Sequence, residues 1–354
     1  MKTIIKKNKL MFFGLFAINL IIGMMSLLIL PERYFNDTII IVFDHYHEIG
    51  WIGSYPFAIT FYKYTGLKFL PFPILTLIQY PIVIYILYKI GIPSNFDKFN
   101  LKNMLVYIAL MLTALYMSMP TKEFITFLYV SMIVFLYKSD KTPRFKIITS
   151  LALIFCFGFF RQYYMIIPIL AVGMYCATFI KFKNKAFGTV VSGLLLTMFL
   201  SFSHNVVKGE FLSQSSREGY TDQWKKDVTS IIISPIPQNT WYGESLGIVY
   251  GFMAVNVPVI EYLKHILSPQ ILVFAIYQLL LFSILIVRLS RCLQDKKNRQ
   301  FELWTLLLLF AYFMVQGVFE PDLGTSIRHK MGFLPLIYYA LYYDHFRKKV
   351  QPDA

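Results

Sequence analysis

Phe319-Glu320-Pro321-Asp322-Leu323-Gly324-Thr325-Ser326-Ile327-Arg328-His329-Lys330-Met331-Gly332-Phe333-Leu334-Pro335 sets Glu320, Asp322, Arg328, His329 and Lys330 between two apolar runs, Leu303 to Val318 before and Met331 to Tyr343 after. Charge facing lipid costs several kcal/mol. The two runs therefore read as membrane helices, and the charged stretch as the loop where the chain leaves the bilayer and re-enters it. This loop is the candidate reactive site. The side of the membrane on which it lies orients every other segment.

Composition agrees with that reading along the whole chain. The 354 residues are 57% hydrophobic and 18% aromatic, with a mean hydropathy of +0.57, which predicts an all-α, polytopic integral membrane protein forming a single multispanning domain over residues 1–354. A net charge of +15 raises the question of nucleic acid. No basic patch is interleaved with aromatics on a water-soluble face, so no nucleic-acid partner is expected. Cys156, Cys176 and Cys292 have no paired spacing, and neither a disulfide framework nor a cysteine metal site is implied.

The amino end carries Lys2, Lys6, Lys7 and Lys9 ahead of an apolar run from Leu10 to Leu30, long enough to cross roughly 30 Å of hydrocarbon. No small-residue cleavage pattern follows it, so it reads as an anchor and not a signal peptide. Further spans are expected at Phe69 to Ile90, Asn103 to Met119, Phe124 to Tyr137, Ile147 to Phe160, Tyr163 to Ile180, Ala186 to Phe202 and Ile271 to Val287, with the two runs already named completing about ten. Pro71, Pro73 and Pro81 predict kinks in the second. Pro56 to Lys68 reads as an interfacial helix.

Orientation comes from Lys and Arg, because inner loops carry the excess. On this map 22 of the 34 Lys and Arg residues fall in inner segments and 12 in outer ones. Both termini are then cytoplasmic. The stretch 203–269 is the one large periplasmic loop, with Trp224, Trp241 and Tyr242 as interface anchors and Pro235 and Pro237 as turns. The outer helix ends gather Asp37, Lys122, Glu123, Arg161, Glu320, Asp322, Arg328, His329 and Lys330, while the spans themselves are nearly free of charge. Polar groups held near membrane depth need partners or a polar cavity.

Arg161 stands between two long apolar runs with only Gln162 beside it, which points to an anion-binding role or a buried ion pair. Arg328 with His329 reads the same way. Lys122 and Glu123 follow Pro120-Thr121, a combination that fits a helix N-cap. Asp44-His45-x-His47-Glu48 is a weak metal signal, since spacing suggests no third ligand elsewhere.

The Pro120-Thr121-Lys122-Glu123-Phe124 turn, the Phe160-Arg161-Gln162-Tyr163-Tyr164 turn, and Glu320-Pro321-Asp322-Leu323-Gly324 followed by Arg328-His329 together resemble the Wzy-type oligosaccharide repeat-unit polymerases, membrane glycosyltransferases of GT-C-like architecture. The resemblance covers the chain end to end in layout and about twenty residues in motif. It implies a bacterial inner (plasma) membrane enzyme with its active face in the periplasm, making O-antigen or capsule. A growing glycan on undecaprenyl diphosphate would pass to a new lipid-linked repeat unit, with membrane lipid and a chain-length regulator protein as further partners. Arg161 and Arg328 would then grip the leaving diphosphate with Lys122 assisting, and Glu123, Asp37 and Tyr164 would complete the binding set. Asp322, Glu320 or His329 would be the base; the sequence does not rank them. No DxD-like motif is evident, so a reaction without metal or other cofactor is expected.

Three other classes compete. A ten-span acyltransferase would place His and Arg near its first span, which has neither. A flippase or transporter would carry charge at mid-span, and these spans carry almost none. A single-sugar glycosyltransferase or an O-antigen ligase shares both the chemistry and the side.

Overall fold

A computed structural model describes residues 6–44, 49–218 and 230–347. All regular elements among them are helical. In chain order these are α1 (Lys7–Met24), α2 (Ser26–Ile29), α3 (Asn36–Phe43), α4 (Ser54–Tyr64), α5 (Phe72–Ile90), α6 (Leu101–Met117), α7 (Lys122–Lys138) and α8 (Pro143–Cys156). There follow α9 (Ile166–Ala177), α10 (Lys185–Lys208), α11 (Trp241–Asn256), α12 (Val259–Lys264), α13 (Pro269–Gln294), α14 (Gln300–Phe319), α15 (Leu323–Gly332) and α16 (Leu334–Arg347). Each of the ten apolar runs holds a helix. Five of these, α1, α5, α10, α13 and α14, are long and apolar enough to cross a membrane by length and composition.

Two compact units result, Met1–Gln162 with Arg328–Ala354, and Tyr163–Ile327. In the first, α1 packs on α5 and α6, and α7 packs on α5, α8 and α16. Polar side chains fasten its helix ends. Thr121 caps α7 as expected, its hydroxyl accepting from the Phe124 amide, and Tyr62 Oη braces that cap by exchanging hydrogen bonds with the Thr121 main chain. Pro71 and Pro73 do not kink α5 but open it, one as N-cap and the other in the first turn, where a missing N–H costs nothing. The first run is also not one helix, since α1 stops at Met24 and α2 begins afresh at Ser26.

The second unit is built around α14. Nearly every side chain from Glu302 to Val318 is buried, as an all-round apolar helix demands. Helices α9, α10, α11 and α13 pack on it. The stretch 203–269, expected as one large loop, carries helical structure and contains all of α11, which Trp241 opens; Trp224 lies outside the described residues. Gly243, Gly247 and Gly251 recur every fourth residue on α11, and this bare stripe admits the Pro237 carbonyl, the Gln238 amide, and the Arg217 guanidinium beside the Gly317 carbonyl. Small residues at such spacing let helix backbones approach closely. Arg217 donates to the Gly317, Val318 and Gly247 carbonyls, so a buried guanidinium satisfies the open carboxyl end of α14.

A Cβ at Gly251 would overlap both the Gly317 oxygen and the Arg217 guanidinium. Gly251→Val is therefore expected to lower unfolding free energy by about 1–3 kcal/mol, read as a reduced Tm of the detergent-solubilised protein, whereas Gly14→Ala, in α1, whose added Cβ meets nothing within 4 Å, is the milder control.

Candidate active site

In the first unit, five parts of the chain bring ionisable groups to one place. Helix α3 offers Asp37 in its first turn, α4 offers Tyr55, α7 opens with Lys122 and Glu123, and the turn after α8 supplies Arg161. Arg328 and His329 come from α15. The Arg161 turn is held by main chain and rings: Gly53 N donates to Phe159 O at 2.8 Å, and Phe57 packs edge-on against Phe160 at 5.1 Å.

Glu123 is the inner anchor. Its Oε1 accepts from Arg161 Nη2 at 2.9 Å and lies 3.2 Å from His329 Nε2 and 4.0 Å from Arg328 Nε. Asp37 is the outer one. Arg328 Nη2 stands 2.5 Å from its Oδ2, Lys122 Nζ 3.4 Å from its Oδ1, and the Tyr55 hydroxyl donates to the same Oδ1. Lys122 also sits over the Tyr55 ring, 3.7 Å from its centre, a cation–π contact strengthened by burial. Arg328 thus touches both carboxylates and ties the two halves together.

Among the described residues, Lys122, Arg161 and Arg328 are set against Asp37 and Glu123, so each buried carboxylate has cationic partners. Glu123 is fully buried, and Asp37, Lys122 and Arg161 nearly so. Arg328, with its side chain 17% exposed, is the most accessible of the three cations. Burial pushes the Asp37 carboxyl up, but Arg328 and then Lys122 outweigh it and hold the pKa at about 2. It stays a carboxylate at neutral pH. Burial and then the charge of Asp37 raise the Tyr55 hydroxyl above its ordinary value, which keeps it a donor.

Of the side chains expected to act together, Asp37, Lys122, Glu123, Arg161, Arg328 and His329 meet here, whereas Glu320, Asp322 and Tyr164 belong to the second unit. The stretch 319–335 is also not a loop. Residues from Leu323 form a helix, and Asp322 is occupied as its cap, accepting from Thr325 N at 2.9 Å and from Thr325 Oγ1 at 2.5 Å. An Asp three residues before Thr at the head of a helix is a readable capping signal. Glu320 ends α14 and accepts from Gln316 Nε2 at 3.3 Å, and the Pro321-Asp322 strap is bridged to Ile231, with Ile232 N donating to Pro321 O at 2.8 Å. Tyr164 is a core residue, edge-on to Tyr312 at 6.1 Å. Tyr55 was missed by sequence reasoning because a tyrosine in an aromatic-rich interfacial segment carries no distinguishing mark.

Asp44 ends α3 in a left-handed conformation with φ 50°. His45, His47 and Glu48 lie outside the described residues. Among the described residues no three His, Cys, Asp or Glu side chains group as a metal would require. Comparison with protein-family models, curated proteins and solved structures finds no match to this chain.

The lowered pKa of Asp37 has a definite sign. Its ionic contacts contribute fully above the carboxylate's unfolded value near ~4 and are lost as pH falls toward about 2. The Tm difference between the wild type and Asp37→Asn is therefore expected to be largest at neutral pH and to shrink below pH ~4, measured by thermal unfolding across that range.

Proposed function

We propose that the chain is a polymerase of lipid-linked oligosaccharide repeat units, a multi-pass protein of the bacterial inner membrane with about ten spans, cytoplasmic termini and its reactive cluster on the periplasmic side. What supports this most is the buried cluster that gathers Lys122, Arg161 and Arg328 with Asp37 and Glu123, with His329 set against Glu123. The excess of Lys and Arg in the inner segments supports the orientation.

The reaction needs a clamp for a leaving diphosphate and a base for a sugar hydroxyl. In this reading the acceptor hydroxyl oxygen bonds to the anomeric carbon of the growing glycan, the bond from that carbon to the diphosphate oxygen breaks, and undecaprenyl diphosphate departs with the electron pair. Arg328, the most accessible of the three cations, meets the diphosphate first. Arg161 lies deeper and Lys122 adds a point charge. A guanidinium has five N–H donors in a planar fork, more than a single carboxylate accepts. The acceptor proton goes to His329, and the carboxylate of Glu123 at 3.2 Å stabilises the imidazolium that forms. Asp322 is a poorer base, because its oxygens are committed to Thr325.

Arg328→Ala and His329→Ala, at normal membrane abundance, are expected to abolish polymer while surface glycans keep a single repeat unit. Long chains in either mutant would overturn the reading, and loss of the single-unit product as well would indicate a flippase. Arg161→Lys keeps the charge but loses the fork. Polymer is expected to shorten or vanish in that mutant, seen as a collapsed glycan ladder on a gel, and a wild-type ladder would count against diphosphate binding there.

A further inference from the structure

A second ionisable cleft lies in the first unit, away from the cluster's helix ends. It encloses about 800 Å³ where the start of α1, the end of α5 and the end of α16 come together. Its rim carries Lys6, Lys9 and Lys89, and one wall is apolar, formed by Tyr88, Ile92 and Phe346. Asp344 is the carboxylate in the lining, so the lysines leave a net positive charge of at least two. All three lysines belong to the segments that the Lys and Arg distribution assigns to the cytoplasmic side.

Helix polarity favours an anion there. Helix α1 begins in the cleft with Lys6 as N-cap, whose side chain makes no capping hydrogen bond, and the positive end of its dipole lies there. The opposite pole, the carboxyl end of α5, would repel an anion if its carbonyls were open. They are not: Lys138 Nζ donates to Lys89 O at 3.1 Å and to Ile90 O at 2.6 Å, and Tyr338 Oη donates to Gly91 O at 2.8 Å. The walls are fixed as well. Asn8 Nδ2 donates to Pro93 O at 2.9 Å, and Ser94 Oγ lies 3.2 Å from His345 Nδ1. Gly91, at φ 131°, lets the main chain lie against the Phe346 ring, and a Cβ there would come within 3.0 Å of it.

We propose that this cleft binds an anionic phospholipid, the three lysines holding the phosphodiester headgroup and the Tyr88, Ile92 and Phe346 wall receiving the start of an acyl chain. Basic pockets at the cytoplasmic ends of membrane helices suit anionic lipid headgroups, whose net negative charge a zwitterionic lipid lacks. The combination of a cationic rim and an apolar wall favours a lipid over a soluble phosphate, which would have no use for the wall.

The test uses the full-length protein in nanodiscs of phosphatidylcholine, with and without phosphatidylglycerol, and with inorganic phosphate added to the pure phosphatidylcholine discs. Phosphatidylglycerol is expected to raise Tm, and the variant combining Lys6→Gln, Lys9→Gln and Lys89→Gln is expected to lose most of that rise while keeping the wild-type Tm in phosphatidylcholine. Should the triple variant unfold, Lys89→Glu alone carries the comparison. An equal rise with inorganic phosphate would assign the cleft to a soluble anion and overturn the lipid. No rise with phosphatidylglycerol, or a rise that survives the substitutions, would also overturn it.

Discussion

Two carboxylates, Asp37 and Glu123, are taken almost wholly out of water, and a buried ionised carboxylate survives only with compensating charge. That demand organises the first unit. Three separate parts of the chain, α7, the turn after α8 and α15, must each deliver a cation to the same few ångströms, and Arg328 must reach both acids at once. Removing one partner strands the other's charge, so such a set is retained as a whole or not at all.

The second unit answers a different constraint with different means. There the axis is an apolar helix, α14, and the close approach of α11 depends on glycines that leave room for a carbonyl and for one buried arginine. Arg217 spends its donors on main-chain carbonyls, where Arg161 spends its own on a carboxylate. The same residue type thus ends a helix in one unit and builds a charged site in the other. The difference lies in what stands within reach, not in the side chain.

Length of apolar run, charge at the helix ends and the Thr121 cap were all legible in the sequence, because each depends on residues within a turn or two of one another. So was the separation of charged from apolar stretches that marks a membrane-compatible helical chain, and the residues worth naming: Asp37, Lys122, Glu123, Arg161, Arg328 and His329 all stand out as isolated charges beside apolar runs. What local pattern left open was which of them meet. Asp322 stands out just as strongly in sequence, yet capping takes it into other work. Likewise the glycine stripe of α11 sits in a stretch whose polar and proline content reads as loop, and only packing against α14 reveals it as a helix interface. Pairing of charges from distant positions, the choice of Tyr55 as a donor, and the cleft where three helix ends converge were decided by tertiary structure alone, because they depend on distances between segments that no periodicity within a segment encodes.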